Sequence, residues 1–198
     1  VAAGVTRLAL AYYYSIAPSV RLIGKYAKTF YDVAGVDTGD SALANAFDRL
    51  VVSVPDLAEA VNQYQTVMGV PPLPGGAKDS ARAARWLLTN TVVELVERGA
   101  AAPHLQGLVF AREHAPEGDE VIENSLGLHL CQCDGRFTEQ LREKWSSEHR
   151  PALSVDHVVL RTVNPDACID LFRDQLGIRL ALDKNIEAWG GRMLFFRD

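Results

Sequence analysis

The sequence predicts an α+β fold assembled from repeated strand and helix units, and three observations carry that prediction. Residues 47–70 (FDRLVVSVPDLAEAVNQYQTVMGV) and 155–178 (VDHVVLRTVNPDACIDLFRDQLGI) match without a gap at an offset of 108 positions. Within each copy the apolar residues change from the spacing of a strand to that of a helix. A glycine, Gly69 or Gly177, then ends each copy as a helix stop.

The elements follow in order. Each copy opens with an apolar run of about six residues that reads as a strand, and shares Asp48 with Asp156 and Val51 with Val159. Helix starts come next: Asp56 with Glu59 three later, or Asn164 followed by Pro165. Leu57, Val61, Tyr64 and Met68 fall on one helix face in the first copy, and Cys168, Leu171 and Leu176 near one face in the second. After the first copy a Pro/Gly turn (Pro71 to Gly76) leads to a strand Arg85–Thr89, a turn at Asn90-Thr91 and a strand Val92–Glu97, making βαβββ. The second copy continues as Arg179–Asp183, a turn near Gly190-Gly191 and Arg192–Arg197. Matching Arg85-Trp86-Leu87 to Arg192-Met193-Leu194 leaves it one strand short, a truncated C-terminal module.

Four regions result. Residues 1–45 read as a helical extension and linker matching nothing in the repeat, 46–98 as the first module and 155–198 as the second. Between them, 99–154 holds a strand Leu105–Ala111, an acidic loop Glu113 to Glu123, a strand Leu126–Cys133 and a helix Phe137–Trp145, a degenerate half-module. In the extension, the apolar aromatic run Ala9–Ile16 is too short for a membrane span of ~20 residues. The basic amphipathic stretch Ser19–Ala34 suits packing on its own domain, a partner subunit or a membrane surface. A start at Val, and an end before a needed strand, suggest a piece of a longer protein.

These residues resemble the vicinal oxygen chelate superfamily, which includes glyoxalase I, extradiol dioxygenases, methylmalonyl-CoA epimerase and bleomycin-resistance proteins. The resemblance rests on Val-Asp-His157-Val-Val-Leu, on Phe172 followed by Leu-Gly177, and on Val-Val-Glu94-Leu-Val-Glu, and covers roughly half the chain. It implies modules curling into a cup, with His157 and Glu94 as metal ligands and a divalent Ni, Zn, Mn or Fe ion as cofactor. Imidazole and carboxylate ligands leave such an ion open positions, where neighbouring substrate oxygens chelate and are polarised. The implied function is a metal-dependent lyase or isomerase acting on a small carbonyl-containing substrate through an enolate-like intermediate, a glutamate (Glu94) serving as base. Two alternatives are an extradiol-type ring-cleaving dioxygenase and a metal-free binding protein of the bleomycin-resistance kind.

The chain departs from the family pattern at Arg49, which stands where the first module's histidine belongs. A guanidinium there either binds an anionic substrate group bidentately or forms a structural ion pair with Asp48 or another carboxylate. His129, alternating with Leu128 and Leu130, reads as a ligand or general base if it projects into a cup, and otherwise as a satisfied polar residue. His157 and Glu94 have plainer readings too, as a polar residue at a sheet edge and a solvent-facing strand residue.

Composition narrows the remaining classes. A net charge of −5 with pI near 5.5 argues against a nucleic-acid surface, and the sequence has no phosphate-binding glycine loop, serine elbow or His-Glu-x-x-His. Three cysteines and no secretory leader point to a reduced, cytoplasmic chain. The family's habit of completing cups by exchange between chains, and an edge lacking its closing strand, lead to the expectation of a homodimer.

Overall fold

The computed structural model describes residues 7–11, 46–73, 83–99, 101–112, 115, 118–145, 151–187 and 190–197. The fold is α+β, with a mixed six-stranded sheet, a second sheet of four strands, and three helices among the described residues.

The first copy forms as its sequence dictates. Strand β2 (Ala46–Val54) leads into helix α1 (Leu57–Met68). Asp56 caps α1, its carboxylate accepting the Glu59 N–H at 2.9 Å, and Gly69 closes it at φ 73°. Strands β3 (Ala83–Leu87) and β4 (Val92–Glu97) follow as an antiparallel pair, and β4 lies parallel to β2. Beyond them β5 (His104–Ala111) pairs antiparallel with β2, β7 (Leu130–Cys133) parallel with β5, and β6 (Glu120–Ile122) antiparallel with β7. The order is therefore β3-β4-β2-β5-β7-β6. Strand β7 is thus held between β5 and β6 before the chain enters α2 (Arg136–Lys144).

The second copy supplies β8 (His157–Leu160), α3 (Pro165–Ile169) running on as a π-helical segment Asp170–Gln175, β9 (Arg179–Ile186) and β10 (Gly191–Arg197). Asn164 caps α3 by accepting the Ala167 N–H, with Pro165 in the first turn, as the sequence predicts.

Within residues 1–45, expected as a helical extension and linker, residues 7–11 form a strand instead. Strand β1 (Arg7–Ala11) lies between β8 and β10, parallel to the first and antiparallel to the second. Both neighbours would otherwise present open backbone donors and acceptors, and an apolar extended segment satisfies them. The edge expected to invite a second chain there is filled from within. The remainder of the aromatic run, the basic stretch Ser19–Ala34 and the linker after it lie outside the described residues.

Register also corrects one sequence match. In the first region Leu50, Val93 and Trp86 stand side by side; in the second Val158, Leu8 and Phe196 do. Trp86 thus stands next but one to Leu50 as Phe196 stands next but one to Val158, three residues beyond the Met193 of the ungapped match. A bulge at Phe195/Phe196 and a β9 longer than expected shift the count.

One core joins the two sheets. Leu50, Val93, Leu95 and Trp86 share it with Ala60 and Met68 of α1, while Leu108, Phe110 and Leu130 share it with Leu171 and Phe172. The Phe172 ring lies 6.4 Å from Phe110 and 5.3 Å from Phe196, bridging the sheets. Each such side chain contributes ~1.5–3 kcal/mol when fully buried. A polar clasp reinforces the join: Asn90 donates to the Val155 carbonyl at 2.8 Å and accepts the Val155 N–H at 3.0 Å.

Candidate functional site

On the face of the six-stranded sheet opposite α1, charged side chains collect in the interior. The cause begins in β2. Two residues, Asp48 and Arg49, advance β2 past a single step of β5, from Phe110 to Val109, so Asp48 is the extra residue of a bulge. A bulge breaks the alternation that sends neighbouring side chains to opposite faces. Arg49 Nη1 accordingly donates to the carboxylate of its own neighbour Asp48 at 2.7 Å.

Arg49 is buried and uses all three guanidinium nitrogens. Besides the Asp48 bond, Nε donates to Glu94 Oε2 at 3.3 Å, and Nη2 donates to both carboxylate oxygens of Asp119. Glu94 stands directly opposite Arg85 across β4 and β3, and its Oε1 accepts from Arg85 Nε at 2.8 Å and Nη2 at 2.6 Å. Two guanidiniums and three carboxylates thus form one network. Burial works to lower the Arg49 pKa, yet the hydrogen bonding and charge of Asp119, then of Asp48, lift it above its ordinary value.

Helix α2 covers this face. Gly135, at φ 73°, turns the chain from β7 into α2, a conformation that suits glycine. Phe137 then sits over both cations, its ring centre 5.3 Å from the Arg49 and 5.1 Å from the Arg85 guanidinium carbon. Farther along, Leu141 and Trp145 pack on Leu73, Leu87 and Val92. Cys131 and Cys133 lie on the same face with Val109 and Val51. Burial, helped by the nearby Asp48 charge, pushes the Cys133 thiol up to about 11, and burial raises Cys131 as well. Both are held as neutral thiols.

The structure brings Arg49 and Glu94 into direct contact, leaves His129 without a bond to either, beside Cys131 on the same face, and places His157 in the other sheet. His129 precedes β7, with Nδ1 3.9 Å from Cys131 Sγ, and crowds Gly107, where an added Cβ would meet its Nδ1 and carbonyl oxygen at 2.8 Å. His157 lies in the other sheet, on β8, its Nδ1 2.9 Å from Asp156 and its side chain more than one-third exposed. By register the residue answering to Glu94 in that sheet is Ala9.

The donor set around Glu94 does not fit a divalent cation. Both its oxygens face guanidiniums, and the neighbouring strand offers Arg49 in place of an imidazole. Among the described residues no three His, Cys, Asp or Glu side chains are grouped to hold an ion. Sequence reasoning missed Arg85, Asp119 and Phe137. Arg85 was legible only through its strand register, and Asp119 lies in an acidic loop without periodicity.

A groove of about 370 Å³ opens elsewhere, beside α3 and the β9–β10 turn, where Arg192 bonds Asp183 and Asp166. No helix among the described residues is long and apolar enough to cross a membrane. Neither a protein-family model nor a curated protein sequence matches the chain.

Proposed function

We propose that this chain is a metal-independent protein that binds or sequesters a small oxygenated molecule, of the bleomycin-resistance kind, on paired βαβββ modules of the vicinal oxygen chelate type. The observation that carries the reading is the pair of guanidiniums, Arg49 and Arg85, bracketing Glu94 under the Phe137 ring. Arginine forks recognise oxygen pairs by geometry, and an aromatic wall supplies apolar contact. The module reading draws support from strand registers: β2, β4 and β3 are matched in direction and order by β8, β1 and β10. In that reading β5, β7 and β6 form a third, reduced set in which a loop replaces the helix.

A lyase, isomerase or ring-cleaving dioxygenase of this superfamily would need a metal held by Glu94 with an imidazole such as that of His157. The placement of those two residues on separate sheets weighs against it. Metal content after growth and reconstitution with Ni, Zn, Mn and Fe, measured by plasma mass spectrometry beside His157→Ala and Glu94→Gln, tests the choice. The expected result is no stoichiometric metal in any of the three proteins. About one equivalent in the parent, lost in either variant, would overturn the binding-protein reading in favour of the metalloenzyme.

A further inference from the structure

One of the three carboxylates on Arg49 differs in kind from the others. Asp48 and Glu94 project from neighbouring strands and are buried, whereas Asp119 comes from the loop before β6, and its side chain is 42 % exposed. We propose that the Arg49 fork is a receptor for a small organic carboxylate and that Asp119 occupies it from within, as a built-in competitor that the ligand displaces. The inference rests on the reading of this face as a ligand site.

Charge, access and shape support it. Among the described residues the network holds three carboxylates against two guanidiniums with Asp119 in place, and two against two without it. Arg49 thus already accommodates an exchangeable carboxylate at Nη2, and an incoming carboxylate restores the same charge there. Departure of Asp119 uncovers Nη2, while Asp48 and Glu94 keep the guanidinium plane fixed through Nη1 and Nε. A planar guanidinium so held loses little freedom when it receives a second carboxylate. Phe137 stacks over the fork and supplies an apolar wall on that side of it. The buried thiols of Cys131 and Cys133 line the same face and, being neutral, do not repel an anion.

The test is calorimetric titration of the whole chain with benzoate, with benzamide as the neutral isostere, on the parent and on Asp119→Asn. Asparagine preserves shape and removes the competing charge. The expected result is benzoate binding at least tenfold tighter in Asp119→Asn, no gain for benzamide, and no change in Glu120→Gln, the adjacent control. Asp119→Ala repeats the measurement should the asparagine variant not fold. In the parent, the nitrogen-15 resonance of Arg49 Nε, assigned by its loss in Arg49→Lys, shifts on adding benzoate. Equal benzoate affinity in parent and Asp119 variants, or an unmoved Nε resonance at saturating benzoate, overturns the proposal. That failure is distinct from failure of the functional reading, which shows as bound metal.

Discussion

Positions 49 and 157 occupy the same place in two strands that begin alike, yet they live in opposite environments. Arg49 sits in the middle of a six-stranded sheet, buried among Asp48, Glu94 and Asp119 and roofed by Phe137. His157 sits on the outermost strand of a four-stranded sheet, with Asp156 beside it and solvent beyond. The difference follows from what flanks each strand. β2 has β4 on one side and β5 on the other, and α2 folds over the result; β8 has β1 on one side and no strand on the other among the described residues. One strand pattern thus yields an interior charge network in one place and a surface histidine in the other.

The largest expected effect comes from removing the feature that distinguishes the sheets' closing strands. β4 follows β3 directly, whereas β1 reaches its place from the far end of the chain. A chain lacking residues 1–11 is expected to lose amide-exchange protection throughout β8 and β10 while β2 and β4 keep theirs. Unchanged protection in β8 and β10 would show that β1 is dispensable to that sheet.

A smaller effect separates the two matched positions directly. Arg49→Met leaves the buried Asp48 carboxylate without the guanidinium it bonds, whereas Glu94 keeps Arg85 and Asp119 reaches solvent; breaking a buried pair from one side costs about 3–5 kcal/mol. His157→Ala, at a surface site, is expected to change stability by no more than about 0.5 kcal/mol. Urea unfolding of both variants checks the contrast, and similar losses at the two sites would erase it.

The smallest effect is a pH dependence confined to the charge-network face. The Cys133 thiol, ordinarily near 9.0, is raised to about 11 in the fold. Between those values the unfolded chain releases its proton first, so the native state binds more protons and stability falls as pH rises. The contribution is complete below pH about 9 and is lost through about 11, an upper bound of roughly 2–3 kcal/mol at 1.36 kcal/mol per unit. Cys133→Ala is expected to flatten that part of the stability curve, and an equally steep fall in the variant would assign the slope to another group.

Much of the scaffold was legible because it is locally written. Asp56 and Gly69 bound α1, Asn164 and Pro165 start α3, and β4 spans the Val92–Glu97 that the sequence predicts. What escaped was non-local. The run Arg7–Ala11 states that it is extended but not that it will lie beside His157–Leu160. The bulge at Asp48 adds a residue to β2 that only the partner strand reveals. The π-helical turn, in which the Leu176 N–H reaches the Leu171 carbonyl at 3.0 Å, breaks the 3.6-residue period used to read the second helix. At the site, the pairing of Arg49 with Asp48 was among the sequence readings. Its bonds to Glu94 and Asp119 required the sheet register and a loop whose path carries no pattern.

The Asn90 amide has a mechanical consequence. Its two bonds engage the N–H and the C=O of one residue, Val155, at the corner where the first sheet meets the segment leading to β8. A force pulling the sheets apart at that corner is shared by these two bonds and by the two that Thr89 donates to the Leu153 carbonyl from its N–H and its hydroxyl, each at 3.0 Å. The corner thus behaves as a latch of several pins spread over two residues on each side, Asn90 and Thr89 against Val155 and Leu153.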